Sequence, residues 1–342
     1  MQTTISRIFP QNKLAMEEYL AFLKQADIKP DRNLERIYGM YDHNDKLIAT
    51  GGILGATLRC LAVDDTYRGE GLMATMVSYL MDVQVSFGRY DLFLYTKKMY
   101  ENIFQNLGFK TLVSVEPDVI FMENGRGRFE RYLQRIQRET EACFGSAVET
   151  GNPVIAGIVM NANPMTRGHR HLIETAASAY GFVHLFLVSE DASKVPHSLR
   201  RRFVEENIRD LTNVCLHESD HYLVSRATFP SYFLADDDDV ARAHAETDAS
   251  VFVKIARALN ISVRVVGEEP LSHTTAIYNE ALDKILSGAG MRLRIIPRLA
   301  TADGEPISAS RVRALLADGN IDAVKALVPT SVYEYFKENP LR

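Results

Sequence analysis

The chain has 342 residues, of which 46% are hydrophobic and 24% charged, and its formal net charge at pH 7 is −5. This composition is typical of a globular protein, and the length suits two domains. The negative charge argues against nucleic acid as a partner, and no apolar run reaches the roughly 20 residues of a membrane-spanning helix, so we expect a soluble cytoplasmic protein with no membrane partner.

The first part of the chain mixes helices and strands. Hydrophobic periodicity predicts helices over 14–25, 72–87 and 100–107, and strands over 37–41, 47–54, 57–63, 91–95 and 119–122. Mixed strands and helices in this order predict an α+β or three-layer domain over residues 1–125.

A charge-rich helical pattern follows over 129–144 and ends at Gly145. Glycine and proline interrupt the chain again at Gly151 and Pro153. We therefore expect a helical connector over residues 126–152.

The rest of the chain alternates more regularly. Continuous apolar runs predict buried strands over 154–160, 183–188, 263–266 and 293–296, and helices are predicted after the first of these and after Ser308, Asn320 and Pro329. Alternating strands and helices form a parallel sheet whose ligands bind at the carboxyl ends of the strands. This predicts a Rossmann-like α/β domain over residues 153–342.

The three cysteines, Cys60, Cys143 and Cys215, are widely separated and form no CxxC pair or zinc spacing. This spacing predicts reduced thiols. The triplet Arg200-Arg201-Arg202 and the run Asp236 to Asp239 are both expected to be solvated, the first on a helix face and the second in a loop.

A candidate site follows the strand over 154–160, in the block NANPMTRGH (161–169). Gly168 lets the backbone at a helix start approach an anion, and the free N–H groups there favour phosphate. His169 can donate to a phosphoryl oxygen, and Thr166 can add a hydroxyl donor. The alternative is a plain strand–turn–helix corner with a capping threonine and a surface histidine.

A second helix start carries ISASRVR (307–313). Ser308 and Ser310 can cap the helix and bind phosphate, and Arg313 can make a bidentate contact with phosphate oxygens. The two blocks together resemble the clamp of the T/HxGH nucleotidyltransferase superfamily. That resemblance implies ATP binding by Asn161, Asn163, Pro164, Gly168, Ser308, Ser310 and Arg313. Asn163-Pro164 stands where the family usually has Asp-Pro, and Thr166 stands where many members have the first histidine.

Three further positions match the same superfamily. Lys194 follows the strand over 183–188 and can reach the α and β phosphates of ATP. Gly267 follows the strand over 263–266, where related enzymes meet the adenine or ribose. The alternatives are an exposed loop lysine and a plain turn. Arg202 matches a family arginine, and a solvated role is equally consistent with its position.

In the first domain, the turn around Arg68, Gly69, Gly71 and Leu72 resembles the acyl-CoA-binding motif of GNAT acetyltransferases, and FQNLGF (104–109) matches a later part of that fold. Backbone amides in such a turn cradle a pyrophosphate. Met73 departs from the small residue that ends the motif, and no general base stands out. We therefore expect a GNAT-like docking site for a CoA-like arm. The alternative is a glycine-rich turn without function.

Over nearly its full length the chain resembles the citrate lyase ligase family, in VMNANPMTRGHRHLIE, LVSEDASKVPHSLRRR, SRATFPSYF and ISASRVRALL. The resemblance implies an AMP-forming ligase that activates acetate with ATP as acetyl-adenylate. It also implies transfer of the acetyl group to the thiol of the prosthetic group on the citrate lyase acyl-carrier subunit. His169, Thr166 and Lys194 would be catalytic, and Mg²⁺ would arrive on the ATP phosphates without a protein metal site.

Two other functions remain open from the residues alone. One is a nucleotidyltransferase that moves AMP onto a pantetheine- or nucleotide-type phosphate acceptor. The other is a non-catalytic sensor of nucleotide and acyl-CoA. P-loop, GxGxxG and GxSxG motifs are absent from the sequence, which argues against P-loop kinases, dinucleotide oxidoreductases and serine hydrolases.

Overall fold

The structure, a computed structural model, describes residues 3–115, 119–125, 127–145, 153–189, 194–223, 237–268 and 273–340. The chain divides into two compact units, residues 1–129 with 230–243, and residues 130–229 with 244–342. The helix expected over 129–144 groups with the second unit from residue 130 onward. The described helices include none that is long and apolar enough to cross a membrane.

The first unit contains a seven-stranded sheet of order β1-β2-β3-β4-β5-β7-β6. Its strands are β1 (Thr4–Ile8), β2 (Arg36–Tyr41), β3 (Leu47–Leu54), β4 (Thr57–Val63), β5 (Leu92–Lys97), β6 (Phe109–Val115) and β7 (Val119–Asn124), and its helices are α1 (Lys13–Gln25), α2 (Leu72–Ser86) and α3 (Glu101–Asn106). β4 and β5 are parallel, and all other neighbours are antiparallel. This is the mixed α+β class that the sequence predicts.

Helices cover both faces of this sheet. Tyr19 and Leu23 of α1 pack in one cluster of buried residues, whereas Met76 and Leu80 of α2 pack in another. The sequence pattern misses β1 and β6. β1 is mostly solvent-accessible along its length, and a bulge between Thr111 and Val113 breaks the alternation of β6.

The second unit contains a parallel five-stranded sheet of order β10-β9-β8-β11-β12. Its strands are β8 (Ile155–Met160), β9 (Phe182–Leu187), β10 (Val214–Glu218), β11 (Val263–Gly267) and β12 (Arg292–Ile296). Its helices are α4 (Arg128–Phe144), α5 (Arg167–Ala179), α6 (His197–Glu206), α7 (Asp237–Ala258), α8 (His273–Gly288), α9 (Ala309–Ala317), α10 (Ile321–Val324) and α11 (Thr330–Glu338); α4 and α7 each begin among residues grouped with the first unit.

The order of this sheet reverses at β8. The chain runs outward from β8 through β9 to β10, and then crosses back to β11 and β12 on the other side. Such a reversal opens a crevice beyond the carboxyl ends of the central strands, which is the usual ligand site of an open parallel sheet. The loop after β8 therefore begins in this crevice.

Three expectations from the sequence are wrong. Cys143 and Cys215 form a disulfide with their Cα atoms 5.8 Å apart, because folding brings α4 against β10 across 72 residues of sequence. The run of aspartates is not a loop where it is described, since residues 237–239 begin α7, where carboxylates favour the helix dipole. Arg200 is not solvated but fully buried.

Candidate functional site

Thr166 and His169 form a reciprocal cap at the start of α5. The backbone N–H of His169 donates to Oγ1 of Thr166 at 3.3 Å, and the backbone N–H of Thr166 donates to Nδ1 of His169 at 3.0 Å. Oγ1 of Thr166 also lies 2.9 Å from Nδ1, and the Thr166 side chain is buried. The threonine hydroxyl is thus committed to His169, and Thr166 orients the ring.

This contact fixes the tautomer of His169. A backbone N–H can only donate, so Nδ1 must be the acceptor and the ring proton lies on Nε2. Burial, and to a smaller extent the charge of Arg298, lowers the pKa of His169 to about 4. At neutral pH the ring is therefore uncharged and offers one N–H donor from Nε2.

Asn161 and Arg200 join the carboxyl ends of two strands. Nη1 of Arg200 donates at 2.8 Å to the backbone carbonyl and to Oδ1 of Asn161, and at 2.8 Å to the carbonyl of Val188. Asn161 follows β8 and Val188 follows β9. The buried guanidinium thereby fixes the start of the loop over 161–166, and Asn161 contributes to that framework.

Asn163 is held from two sides. Its Oδ1 accepts from the backbone N–H of Val195 at 3.1 Å, and its backbone carbonyl accepts from Nη1 of Arg313 at 2.6 Å. Nη2 of Arg313 donates to Oγ of Ser310 at 2.9 Å. Pro164 follows through a cis peptide bond and is buried. Arg313 therefore connects the loop after β8 with the first turn of α9.

The two helix starts lie close together. A Cβ added at Gly168 would lie 3.4 Å from the backbone oxygen of Ile307, so any side chain there would crowd the segment that leads into α9. Ser308 is the N-cap of α9 and accepts from the backbone N–H of Arg311 at 3.2 Å. The structure thus brings both sequence blocks to one place, and each presents the N-terminus of a helix.

The remaining predicted residues border this region. Lys194 is exposed and directly precedes Val195, whose N–H binds Asn163. Gly267 ends β11, next to β8 in the sheet, and among the residues that the structure describes, its chain neighbours apart, no atom lies within 4 Å of the position of an added Cβ. Arg202 instead pairs with Glu206 one turn along α6, at 2.8 Å, on an exposed face.

Sequence reasoning missed Arg298 and Arg200. Arg298 follows β12 at the carboxyl edge of the sheet, and its charge is felt by His169. Its position two residues after a predicted strand is a signal that would have identified it. Arg200 carries no such signal, because it stands in a run of three arginines of which Arg201 is half-buried and Arg202 is exposed.

Among the residues that the structure describes, no group of three or more His, Cys, Asp or Glu side chains is arranged to hold a metal ion. The candidate site is instead rich in hydrogen-bond donors: two helix N-termini, Nε2–H of His169, and the cations Lys194, Arg298 and Arg313. Donors of this kind fit the phosphate chain of a nucleotide.

The first unit has a cavity of its own, with a volume of about 540 Å³. β4 and β5 share a single register pair, Thr57 with Phe93, and the cavity is lined by residues of both strands beyond that point. The four predicted docking residues, Arg68, Gly69, Gly71 and Leu72, all line it.

The turn into α2 explains the glycines of this cavity. Gly69 and Gly71 have φ values of 89° and 75°, in the left-handed region that side chains disfavour. Gly71 is also the N-cap of α2, so backbone N–H groups of the first helical turn lack helical partners there. Arg68 forms an exposed ion pair with Asp65 at 2.6 Å.

Comparisons with known proteins give matches in both units of the chain. A family model described as the citrate lyase ligase C-terminal domain matches residues 155–336. The chain is 36% identical over 338 residues to the citrate (pro-3S)-lyase ligase of Escherichia coli K12, covering 97% of this chain and 93% of that protein. The ligase of the same name from Haemophilus influenzae is 34% identical and covers 96% of each chain.

The first unit is also similar to a solved GNAT-family acetyltransferase from Staphylococcus aureus Mu50. That structure matches 36% of this chain and 98% of its own, with a TM-score of 0.31 and 15% identity. A score this low supports no conclusion about activity. The near full-length identity to the two ligases, in contrast, is sufficient: the chain belongs to the citrate lyase ligase family.

Proposed function

We propose that the protein activates acetate with ATP as acetyl-adenylate and transfers the acetyl group to the prosthetic thiol of a citrate lyase acyl-carrier subunit. The observation that carries this proposal is the junction of two helix N-termini by Arg313, beside a neutral histidine that keeps one N–H donor. Family membership supplies the acceptor. ATP as a substrate also makes the cytoplasm the natural compartment.

In the first step, a carboxylate oxygen of acetate attacks the α-phosphorus of ATP. The bond from that phosphorus to the oxygen bridging the α and β phosphates breaks, and pyrophosphate leaves with the electron pair and its Mg²⁺. His169 donates from Nε2 to a phosphoryl oxygen as negative charge builds up, and Lys194 and Arg298 add positive charge. Ser308, Ser310 and Arg313 hold the departing pyrophosphate at the start of α9.

Other residues act by positioning. Thr166 orients the His169 ring, and Asn161 and Asn163 hold the loop in place through Arg200 and Arg313. Gly168 keeps the two helix starts close. Gly267 leaves open space at the end of β11 for the nucleoside. Pro164 lies next to Asn163 in this loop, and its side chain is buried.

In the second step, the thiolate of the prosthetic group attacks the acetyl carbonyl carbon. The bond between that carbon and the phosphate oxygen breaks, AMP leaves, and the thiol proton passes to solvent. We assign the cavity of the first unit to docking of the CoA-like arm. Its volume of about 540 Å³ lies in the ordinary range of small-molecule sites, and its glycine turn opens a helix as a phosphate site requires.

The two half-reactions test this proposal separately. Exchange of labelled pyrophosphate into ATP should depend on acetate, and the purified protein should then acetylate deacetylated citrate lyase and release AMP. Exchange that depends on a phosphomonoester instead would identify a nucleotidyltransferase. The absence of exchange with every acid and phosphate tried, with tight nucleotide binding retained, would identify a sensor.

A further inference from the structure

The carboxylate of Glu218, the last residue of β10, contacts both described ends of the connection between β9 and α6. At the first end, Oγ of Ser189, which follows β9, donates to Oε2 of Glu218 at 3.2 Å. At the second end, Nε2 of His197, the first residue of α6, lies 2.6 Å from the same oxygen. Lys194 lies between these two ends in the sequence.

Arg201 provides the firmer hold of Glu218 on α6, because the N–H of His197 is not aligned for a hydrogen bond. Nη1 of Arg201 donates to Oε1 of Glu218, which leaves Oε2 to Ser189 and His197. His197 and Arg201 are four residues apart and therefore share one face of the helix. The side chain of Glu218 is 16% exposed, so water screens these contacts less than it screens surface ion pairs. Glu218 thus fixes the first turn of α6 against the end of β10.

The end of β10 is itself firmly attached to its neighbour β9. The backbone N–H of Ser219, a buried residue, donates to the carbonyl of Leu187 at 2.9 Å. The backbone N–H of Ser189 donates to Oγ of Ser219 at 3.0 Å, and the backbone N–H of Asp220 donates to Oγ of Ser189 at 3.0 Å. Glu218 therefore acts from a part of the sheet whose own position is fixed.

Lys194 depends on this framework, because it stands three residues before α6 begins. The next residue, Val195, donates its backbone N–H to Oδ1 of Asn163 at 3.1 Å, and its carbonyl accepts from Nε of Arg200 at 3.1 Å. The Lys194 residue itself is exposed. A lysine side chain carries about 2 kcal/mol of rotamer entropy, so the protein can preset only the backbone from which the ammonium group reaches out.

We propose that Glu218 is a positioning residue for adenylation: it holds the start of α6 and thereby sets the backbone of Lys194 beside the phosphate chain of ATP. This inference rests on the proposed function, in which Lys194 adds positive charge to the transition state. A displacement of about 1 Å can cost a factor of 100 in rate, so a residue that never touches ATP can still govern turnover. Arg201 offsets the charge of Glu218, which therefore adds little repulsion toward the phosphates.

A double-mutant cycle tests whether Glu218 acts through Lys194. The amide of Glu218→Gln has a single acceptor oxygen and cannot hold Arg201 and Ser189 on separate oxygens. We expect kcat for pyrophosphate exchange to fall about tenfold in Glu218→Gln, with the KM for acetate within about threefold of the wild-type value. Lys194→Ala should lower kcat about 100-fold. Adding Glu218→Gln to Lys194→Ala should lower it less than about twofold further, because the group to be positioned is gone.

Glu205→Gln is the matched control. Glu205 accepts from Nε of Arg201 at 2.7 Å, so this variant removes the other partner of that arginine and leaves Glu218 in place. It should exchange pyrophosphate at the wild-type rate. Ser189→Ala releases only one end of the connection and should lower kcat about threefold, again only where Lys194 is present. That variant decides the question if melting curves show that Glu218→Gln is unfolded.

Equal losses from Glu218→Gln with and without Lys194 would overturn the positioning role, and so would a wild-type kcat in the folded variant. Wild-type exchange in Lys194→Ala would remove the lysine from the reaction and this inference with it. If the wild-type protein showed no acetate-dependent exchange, the proposed function would fail, and the Kd for ATP would then test the positioning role. Glu218→Gln should weaken ATP binding about threefold or more when Lys194 is present and leave it unchanged in Lys194→Ala, whereas equal effects would again overturn the role.

Discussion

Arg313 on α9 donates a hydrogen bond of 2.6 Å to the backbone carbonyl of Asn163, a residue 150 positions earlier in the chain. The same guanidinium donates to Ser310 in its own helix. One side chain therefore sets the distance between the loop after β8 and the start of α9. A phosphate chain bound between two helix N-termini requires that distance to be fixed, since misplacement by about 1 Å can cost a factor of 100 in rate.

Arg313→Lys should separate charge from geometry. Lysine keeps the positive charge but cannot donate to Asn163 and Ser310 together. We expect the KM for ATP to rise about tenfold, with a parallel fall in pyrophosphate exchange. Arg311→Lys, an exposed neighbour on the same helix, is the control. If Arg313→Lys kept wild-type constants, the contact to Asn163 would have no role in nucleotide binding.

His169→Gln should fold and lose adenylation. The imidazole is the neutral donor at the start of α5, and the loss of one such donor costs about 10²–10³ in rate. Thr166→Val removes the hydroxyl but keeps the backbone N–H that binds Nδ1, so a loss of about tenfold is expected. His171→Ala, two residues further along α5, should exchange pyrophosphate at the wild-type rate. Near wild-type exchange in His169→Gln would remove the histidine from the reaction.

The low pKa of His169 has a consequence for stability. Its folded-state pKa of about 4 lies below the ordinary value of 6.5, so between these values the unfolded chain binds the proton and the folded protein does not. The stability contribution is therefore complete above pH 6.5 and is lost as the pH falls toward 4. Melting temperatures measured from pH 4.5 to 7.5 should rise more steeply for the wild-type protein than for His169→Gln. Parallel curves would mean that the pKa is not lowered.

Arg68→Glu should damage only the second half-reaction. The substitution places a new carboxylate beside that of Asp65, at the cavity of the first unit. The added negative charge repels the phosphates of the arm. Acetate-dependent exchange should continue while acetyl transfer to the carrier falls about tenfold or more. Lys98→Glu reverses an exposed charge that does not line the cavity and should spare both reactions. Loss of exchange as well, without a change in melting, would contradict a docking role.

The disulfide between Cys143 and Cys215 should be detectable by thiol counting. Burial raises the pKa of the Cys60 thiol to about 11, so the folded, unreduced protein should show no reactive thiol. Reduction should release two. Cys143→Ser and Cys215→Ser should each lower the free energy of unfolding by about 2–4 kcal/mol, because the crosslink closes a long loop. Two reactive thiols in unreduced protein, with unchanged stability, would restore the expectation of free cysteines.

Local signals in the sequence are enough to predict most elements of the second unit. The apolar runs predict β8, β9, β11 and β12 to within two residues, and capping residues predict where α5 and α9 begin. These signals are local, because a strand or a helix start depends on neighbours a few positions away. For the same reason the two blocks that mark the candidate site, around His169 and Arg313, are recognisable from the amino-acid sequence alone.

Contacts between distant residues, in contrast, depend on the tertiary fold. The sequence does not indicate that Arg200 is buried while Arg201 is half-buried and Arg202 is exposed, or that Cys143 and Cys215 pair across 72 residues. The contact of Arg313 with Asn163 likewise joins two elements 150 residues apart. Such contacts follow from the order of strands in the sheet and from packing across it. That order brings residues together irrespective of their distance along the chain, and local periodicity carries no information about it.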